Sequence, residues 1–319
     1  MHPALDTFLR THHHAITTAE AASIGLNREV LRGLVQRGVL TRVARGAYVQ
    51  TSVLTGAEHD DAKHRLRARA LLRSRPEAWA ASHQTAVLLW GLPLPQAPLA
   101  RLHVCHTRPT GTSRRRETYS VHLCPRPAKF RQVDSLLVQP PAAALVGAAL
   151  HTPRASAVAA IDAALHLELV TTTELDRALA DAARVPRVEG ARLAVALADG
   201  RSESPGESLL RLVLADLGFT AVPQYLVRDG EVVIARVDFY LPALGVVLEF
   251  DGRRKYAGGQ GARALTSEKT REDRIRALGY GVGRVTWGDL RQPEAVRRCV
   301  LTAARSARPE LWGRRPVAG

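Results

Sequence analysis

The N-terminal part of the chain alternates short amphipathic helices with short strands, in the stretch ITTAEAASIGLNREVLRGLVQRGVLTRVARGAYV. Thr17 and Glu20 have capping-box spacing, which predicts a short helix that ends near Gly25. Asn27 is a favourable cap for a second helix that ends at Gly38. The apolar stripe of this second helix consists of Val30, Leu31, Leu34 and Val35.

After the second helix, VLTRVARGAYV predicts two strands around a turn at Arg45 and Gly46. Helix, turn, helix and hairpin is the order of a winged helix, whose second helix lies in the major groove while its hairpin touches phosphate. Residues 1–56 are therefore predicted to bind DNA. The arginines placed for contact are Arg28, Arg32, Arg37, Arg42 and Arg45. A structural or protein-binding winged helix with solvated arginines is the alternative.

Residues 57–200 mix helical and strand patterns, which predicts an α/β middle domain. We expect helices over residues 59–74 and 79–95, and an alanine-rich helical region over 153–199. Residues 101–131 carry eight basic side chains and one acidic one. Their triple arginine, Arg114, Arg115 and Arg116, is predicted to lie in a loop between two strands and to contact phosphate. A solvated hairpin tip is the alternative.

The two strands beside that loop, LHVCH and VHLCP, each carry a histidine and a cysteine two positions apart. Alternation would place His103 with Cys105, and His122 with Cys124, on one face of each strand. Such ligands suit zinc. Ordinary strand residues are the alternative, and it is favoured because the tight knuckles of structural zinc sites are missing.

The third predicted domain, residues 201–310, follows the polar linker ADGRSES and contains the hairpin RVDFYLPALGVVLEFDG. A turn at residues 242–245 would place two residues opposite each other across the hairpin whenever their numbers sum to 487, as for Asp238 and Glu249. One face of this hairpin is then wholly apolar, while the other carries acidic groups. The apolar face consists of Val237, Phe239, Leu241, Val246, Leu248 and Phe250. The other face consists of Arg236, Asp238, Tyr240, Val247, Glu249 and Asp251.

This register opposes Asp238 and Glu249, and like charges at that distance destabilise a sheet. A divalent cation, Mg²⁺ or Mn²⁺, would stabilise the pair because both ions prefer oxygen ligands. Without a metal, one carboxyl group should have a raised pKa. Asp251 lies opposite Arg236, so an ion pair between the two is the alternative to a catalytic role for Asp251.

The helix SPGESLLRLVLADLGF precedes the hairpin, with Ser204 as its cap and Glu207 at capping-box spacing. Glu207 also lies close to the helical face of Leu214, so it is predicted both to cap the helix and to reach a metal. Phosphodiester hydrolysis needs a metal, an activated water and a stabilising cation. Lys255, directly after the hairpin, is the first choice for that cation, and Lys269 is the second.

Composition adds a charge argument. The net charge is +15 and the isoelectric point is near 10.8, which favours DNA or RNA as partner. However, 41 arginines against four lysines indicate a bias that inflates arginine everywhere. Three cysteines, the lack of a signal segment and the lack of an apolar run of ~20 residues predict a cytoplasmic protein without a membrane span.

Residues 204–290 resemble the Vsr-like branch of the PD-(D/E)xK nuclease superfamily. The resemblance rests on SPGE, RVDF, EFDG, EKTRED and GVGRVTW in that order. It implies a restriction-endonuclease-like α/β/α core, with Asp238 and Glu249 as metal ligands and Glu207 assisting. Asp251 stands where the superfamily has lysine, which leaves that role to Lys255 or vacant.

Residues 12–56 resemble the N-terminal winged helix of type IV abortive-infection antitoxins, through ITTAEAASIGL and LVQRGVLTRVARGAYV, with ASHQTAVLLWGL further on. This resemblance implies DNA binding and autoregulation of an operon. Together, the patterns predict a multidomain α/β protein that is a Mg²⁺- or Mn²⁺-dependent endonuclease acting on double-stranded DNA. The alternative is a non-catalytic DNA-binding regulator or antitoxin-like protein with a degenerate nuclease domain. A homodimer and a toxin partner are both compatible with the sequence.

Overall fold

The computed structural model describes residues 3–109, 112–124, 129–252 and 262–312. The chain divides into two compact units, Met1–Leu197 and Ala198–Gly319. The boundary lies close to the one expected at residue 200. A further division of the first unit at residue 56 stays a prediction.

The first unit begins with the elements of a winged helix. They are α1 (Pro3–Thr11), β1 (Ala15–Thr17), α2 (Thr18–Ser23), α3 (Arg28–Gln36), β2 (Leu40–Ala44) and β3 (Ala47–Gln50). The three strands form an antiparallel sheet in the order β1-β3-β2. Both predicted caps are confirmed: Thr17 and Glu20 form a capping box, and Asn27 accepts a hydrogen bond from the amide of Val30 at 2.9 Å. The sequence patterns did not indicate α1 and β1.

Thirteen further elements complete the described part of the first unit. They are α4 (Thr51–Gly56), α5 (Asp60–Arg73), β4 (Trp79–Ala81), α6 (His83–Leu89), β5 (Leu102–His106), β6 (Arg114–Arg115), β7 (Tyr119–His122), β8 (Arg131–Val133), β9 (Leu136–Val138), α7 (Pro141–Ala149), α8 (Arg154–His166), α9 (Thr172–Asp181) and α10 (Val188–Ala196). The strands form one mixed sheet in the order β6-β7-β5-β4-β9-β8.

Two predictions for this region are wrong. The single helix expected over residues 79–95 is a strand, β4, followed by a helix, α6: Ser82 lies between them in an extended conformation, and His83 begins α6 with a left-handed backbone (φ 50°). Arg114 and Arg115 do not lie in a loop. They form β6, which pairs antiparallel with β7 through Arg114–Val121 and Arg115–Ser120. The helical region after residue 153 is confirmed.

Helix α5 is tied to the winged helix through Arg73. Its guanidinium donates hydrogen bonds to the carboxylate of Glu20, and to the carbonyl oxygens of His12 at 3.0 Å and Ala15 at 3.2 Å. One side chain therefore satisfies groups of α2 and of the chain around β1. As a result, the winged helix is packed against α5.

The second unit is a four-stranded sheet covered by helices on both faces. Its elements are α11 (Pro205–Asp216), β10 (Val222–Asp229), β11 (Val232–Leu241), β12 (Val246–Asp251), α12 (Ala262–Ala277), β13 (Gly281–Thr286) and α13 (Pro293–Ala304). The strand order is β10-β11-β12-β13, with antiparallel pairs except for the parallel pair β12–β13. A parallel pair needs a crossover, and α12 supplies it.

The predicted hairpin register is confirmed where β11 and β12 pair: Phe239–Leu248, Tyr240–Val247 and Leu241–Val246. Helices α11 and α13 contact β12 on the side of Leu248 and Phe250. Helix α12 covers the opposite side, where Ile275 packs with Tyr240 and Val247. The face that was predicted to be acidic is therefore buried along about half of its length, where Tyr240 and Val247 lie. It becomes polar only towards the ends of β11 and β12. No helix in the described part of the chain is both long and apolar enough to span a bilayer.

Candidate functional site

The winged helix presents an arginine-rich surface. Arg28 and Arg32 lie one turn apart on the exposed side of α3, while Leu31 and Leu34 are buried. The other predicted contact residues, Arg37 after α3, Arg42 on β2 and Arg45 in the turn, are also exposed. None of these five guanidinium groups pairs with a carboxylate among the described residues. Their charge is therefore available to an external anion.

The triple arginine lies near this surface. The Thr118 hydroxyl donates to the carbonyl of Val43 at 3.1 Å, which places the connection after β6 beside β2. Arg114, Arg115 and Arg116 are all exposed, and β6 is an edge strand of its sheet. The two basic segments that the sequence singled out separately therefore belong to one compact unit.

The predicted acidic residues lie together in a pocket of about 380 Å³ in the second unit. Its lining consists of Arg236, Asp238, Glu249, Phe250, Asp251, Gly252, Glu268, Arg271 and Arg284. The structure thus brings together Asp238, Glu249 and Asp251, as predicted from alternation. It also surrounds them with three arginines from β11, α12 and β13.

Asp238 lies where β11 and β12 separate. The described ladder ends at Phe239–Leu248, and the Asp238 carboxylate accepts a hydrogen bond from the amide of Phe250 at 2.6 Å. Burial raises the pKa of Asp238 to about 6, although the hydrogen bond from Phe250 opposes that rise. The nearby carboxylates of Glu207 and Glu249 add to it. A raised pKa on one member of the pair is what the sequence predicts in the absence of a metal, but its first cause is burial.

Glu249 is held by arginine. Its Oε1 lies 2.8 Å from Nη1 of Arg271, and its Oε2 lies 3.8 Å from Nη2 of Arg284. Arg284 also contacts Glu268 and Glu272 of α12 at 2.7 and 3.0 Å. Since the described ion pair of Arg236 is with Glu203, at 2.8 Å, Arg236 is oriented towards the chain before α11.

Glu207 has only half of its predicted role as a cap. Ser204 accepts a hydrogen bond from the Glu207 amide at 3.2 Å, but the reciprocal bond to Ser204 is replaced. The Glu207 carboxylate instead accepts hydrogen bonds from the amide of Glu203 at 3.0 Å and the side chain of Gln224 at 2.9 Å. The capping-box prediction for this helix is therefore wrong in its second half. Glu207 is buried and is not among the residues that line the pocket.

The lysine predictions have different outcomes. Lys255 lies outside the described residues. Lys269, the second choice, is on α12 and exposed, and it is not among the residues that line the pocket.

Sequence reasoning missed three polar residues near these sites. Gln224 holds Glu207 from β10 with a left-handed backbone (φ 53°), which no local pattern indicates. Arg284 was identifiable as a charged residue inside the apolar strand GVGRVT. His83 lies against His103 and His122. The only local sign of this position in the sequence is that two polar residues, Ser82 and His83, directly follow the alanines of β4.

Comparison with known proteins finds a family model that matches the N-terminal part of the chain. Residues 3–49 match the family model described as "Transcriptional regulator, AbiEi antitoxin". The chain is also similar to proteins from two strains of Mycobacterium tuberculosis, both named only as uncharacterized. Each is 30% identical over 166 residues, which is 52% of this chain. The chain spans about 60% of the length of these relatives. Residues 3–49 are therefore similar to the AbiEi antitoxin family of transcriptional regulators.

Proposed function

We propose that the protein is a DNA-binding transcriptional regulator that reads DNA with α3 and contacts phosphate with the β2–β3 hairpin. The observation that carries this proposal is the arginine surface of the winged helix, whose five guanidinium groups have no carboxylate partner among the described residues. Arg28 and Arg32, near the start of α3, have the position from which recognition helices contact base edges. Arg42 and Arg45 have the position of a phosphate-binding wing.

The wider charge distribution supports this function. Arg114, Arg115 and Arg116 extend the basic surface beyond the wing, through the contact between Thr118 and Val43. Phosphate contacts supply affinity and register, while base contacts supply specificity. Autoregulation of its own operon and a toxin partner, as in the antitoxin family, are part of the proposal. Co-purification of a stoichiometric protein would support the toxin partner.

Fluorescence anisotropy tests DNA binding, with a duplex from the region upstream of the coding sequence and a shuffled duplex of equal composition. Arg28→Ala and Arg32→Ala should each lower affinity for the upstream duplex by about tenfold or more, the effect of losing a base contact worth ~1–3 kcal/mol. Arg192→Ala is the matched control, because it removes an exposed charge from α10. If all three variants bind like the wild type, α3 is not the recognition helix.

A second function, metal-dependent phosphodiester hydrolysis, is favoured by the Asp238 pocket. Mg²⁺ is commonly bound through one or two carboxylates together with waters and substrate phosphate, and Asp238 and Glu249 line the same pocket. Two carboxylates at one pocket fit that requirement. Glu207 does not line the pocket and is hydrogen-bonded by Gln224, so it would only support the site from outside. A bound Mg²⁺ or Mn²⁺ would polarise the phosphate and lower the pKa of a water.

The protein's own groups would then have distinct roles in hydrolysis. Asp238 and Glu249 would hold the cation, and Asp251 would orient the attacking water. Arg271 and Arg284, which line the pocket, would stabilise the phosphate charge in place of a lysine, with Lys255 as the alternative. Conversion of supercoiled plasmid to nicked or linear DNA with Mn²⁺ is the test. Cleavage that is equal in Asp238→Asn would show that another site, or a contaminant, is responsible.

A further inference from the structure

Three histidines from three elements converge in the first unit. They are His83 at the start of α6, His103 on β5 and His122 at the end of β7. One ligand nitrogen of each lies within 4.8 Å of the others, and no other three His, Cys, Asp or Glu residues in the described part of the chain meet this condition. Nδ1 of His103 is 2.9 Å from Nε2 of His122. The rings of His83 and His122 stack with centroids 3.9 Å apart.

The sheet explains why these side chains meet. Strands β5 and β7 are parallel neighbours, with Cys105 beside His122, so His103 and His122 lie diagonally on the same face. Strand β4 pairs with β5, and the Ser82 amide donates to the carbonyl of His103 at 3.1 Å, which brings His83 to the same place. Gly147 of α7 leaves room for the His83 ring, since a Cβ there would lie 3.2 Å from it.

His83 has an unfavourable backbone conformation and a ring nitrogen without a hydrogen-bond partner among the described residues. Its backbone is left-handed, which is unfavourable for a residue with a side chain. Its Nδ1 is buried without a hydrogen-bond partner among the described residues, as are the Oγ of Ser82 and the Oε1 of Gln84. Buried polar atoms are normally satisfied by protein, water or an ion. An ion, a ligand or water would satisfy these polar atoms of three consecutive residues.

A buried histidine with a purely structural role looks different in the same unit. His64 has both ring nitrogens satisfied, by the carbonyl of Leu99 and by the hydroxyl of Thr85, each at 2.8 Å. His83, His103 and His122 instead use their nitrogens on one another or leave them without partners. Imidazole nitrogens that are not used by other protein groups are available to coordinate a metal.

We propose that His83, His103 and His122 bind one divalent transition-metal ion, with Zn²⁺ as the first choice. Imidazole nitrogens bind Zn²⁺ at ~2.0–2.1 Å, so two nitrogens in a tetrahedral site lie about 3.3 Å apart. The His103–His122 separation of 2.9 Å already approaches that value, and a ligand nitrogen of His83 lies within 4.8 Å of both. Three histidines with an open fourth position form the ligand set of catalytic rather than structural zinc sites.

His83 and His122 also line a pocket of about 890 Å³ whose walls are largely apolar. This pocket gives an ion and a small ligand access to the site. The ring of His151 lies 5.3 Å from that of His83 and 5.8 Å from that of His122 between centroids. His151 is placed to orient a fourth ligand. Cys105 hydrogen-bonds with Cys124, and neither cysteine belongs to the group of residues that meets the distance condition.

Cobalt titration of the full-length chain tests the site, after treatment with a chelator. Co²⁺ substitutes for Zn²⁺ and has visible absorption bands that report tetrahedral coordination. The adjacent histidines His12 and His13 are exposed and would bind metal on their own, so both are replaced by asparagine in every sample. We expect one equivalent of Co²⁺ to give the tetrahedral spectrum, whereas Co²⁺ held by carboxylates such as Asp238 and Glu249 would not. His122→Gln should lower the affinity by about 100-fold, at least the loss caused by removing a supporting group.

Two variants separate coordination from folding. His106→Gln, on the same strand as His103 but outside the group, should bind Co²⁺ like the parent. His83→Gly suits the left-handed backbone but removes a packed ring, so the quantity compared is the rise in Tm on adding Zn²⁺, which this variant should lose. The proposal is overturned if the parent binds no Co²⁺ or Zn²⁺. It is also overturned if folded His122→Gln or His83→Gly gives the parent spectrum and affinity.

Discussion

Arg271 of α12 and Glu249 of β12 form an ion pair, with 2.8 Å between Nη1 and Oε1. Glu249 is also one of the two carboxylates expected to hold a divalent cation. The guanidinium therefore competes with any metal for the same oxygen. Since Arg271 is about one-third exposed, this competition is modest: such pairs contribute ~0–1 kcal/mol.

Replacing Arg271 should therefore strengthen cation binding. We expect Arg271→Gln to raise the affinity for Mn²⁺ by about threefold, within the range that up to ~1 kcal/mol allows. Calorimetry or the electron paramagnetic resonance of free Mn²⁺ measures the change. Arg274→Gln is the control, because it removes the same charge from an exposed position of the same helix. Equal affinities in the two variants would show that Glu249 is not a ligand.

Asp238 predicts a pH dependence of stability that runs opposite to that of most carboxylates. Its pKa is about 6 in the folded protein against 3.8 without the fold, so between these values the folded state retains a proton that the unfolded state has released. Stability therefore falls as pH rises from about 4 to 6.

Asp238→Asn should remove this dependence. Above pH 6 we expect the variant to be more stable than the wild type by about 1–2 kcal/mol, after allowance for solvent screening, and below pH 4 the difference should vanish. Urea unfolding of the second unit at several pH values measures it. The asparagine oxygen retains the bond from the Phe250 amide, so the variant tests the charge. A constant difference at all pH values would refute the assignment of the raised pKa to Asp238.

The features that the sequence predicted well depend on neighbours within a few residues. The cap of α3 by Asn27 requires only the amide three positions on, and the register of β11 with β12 follows from one short turn. Alternation along these strands then places Asp238 and Glu249 in one pocket. Short-range hydrogen bonding and side-chain alternation suffice for such features.

The features that escaped prediction depend on partners far along the chain. Strand β1 has only three residues and is defined by its pairing with β3, more than thirty residues later. Residues 79–95 were predicted as one helix, and their short apolar runs do not distinguish strand from helix. The Glu207 carboxylate accepts its second hydrogen bond from the side chain of Gln224, which lies on strand β10. These contacts exist only once the sheets have formed.

Two glycines in helices should respond to alanine in opposite ways. A Cβ at Gly206 would lie 1.9 Å from a ring carbon of Phe250, so Gly206→Ala forces the ring or α11 to move. We expect a loss of about 1–3 kcal/mol, as for other overpacked sites. Gly190 of α10 has nothing within 4 Å of the same position, so Gly190→Ala should stabilise its helix by up to about 1 kcal/mol. Thermal unfolding distinguishes the two. A neutral Gly206→Ala would show that Phe250 is not packed on α11.

The edge strand β6 predicts an electrostatic contribution to DNA binding that differs from that of α3. Arg115 is exposed, and no described residue forms an ion pair with it, so its expected partner is a phosphate rather than a base. Arg115→Gln should then weaken binding to the upstream and shuffled duplexes equally and reduce the slope of log K against log salt by about 1. Arg32→Ala should instead reduce the preference for the upstream duplex. Anisotropy titrations between low and moderate salt separate these outcomes, with Arg192→Gln as the control for net charge. A salt slope unchanged by Arg115→Gln would place β6 outside the DNA interface and limit the interface to the winged helix.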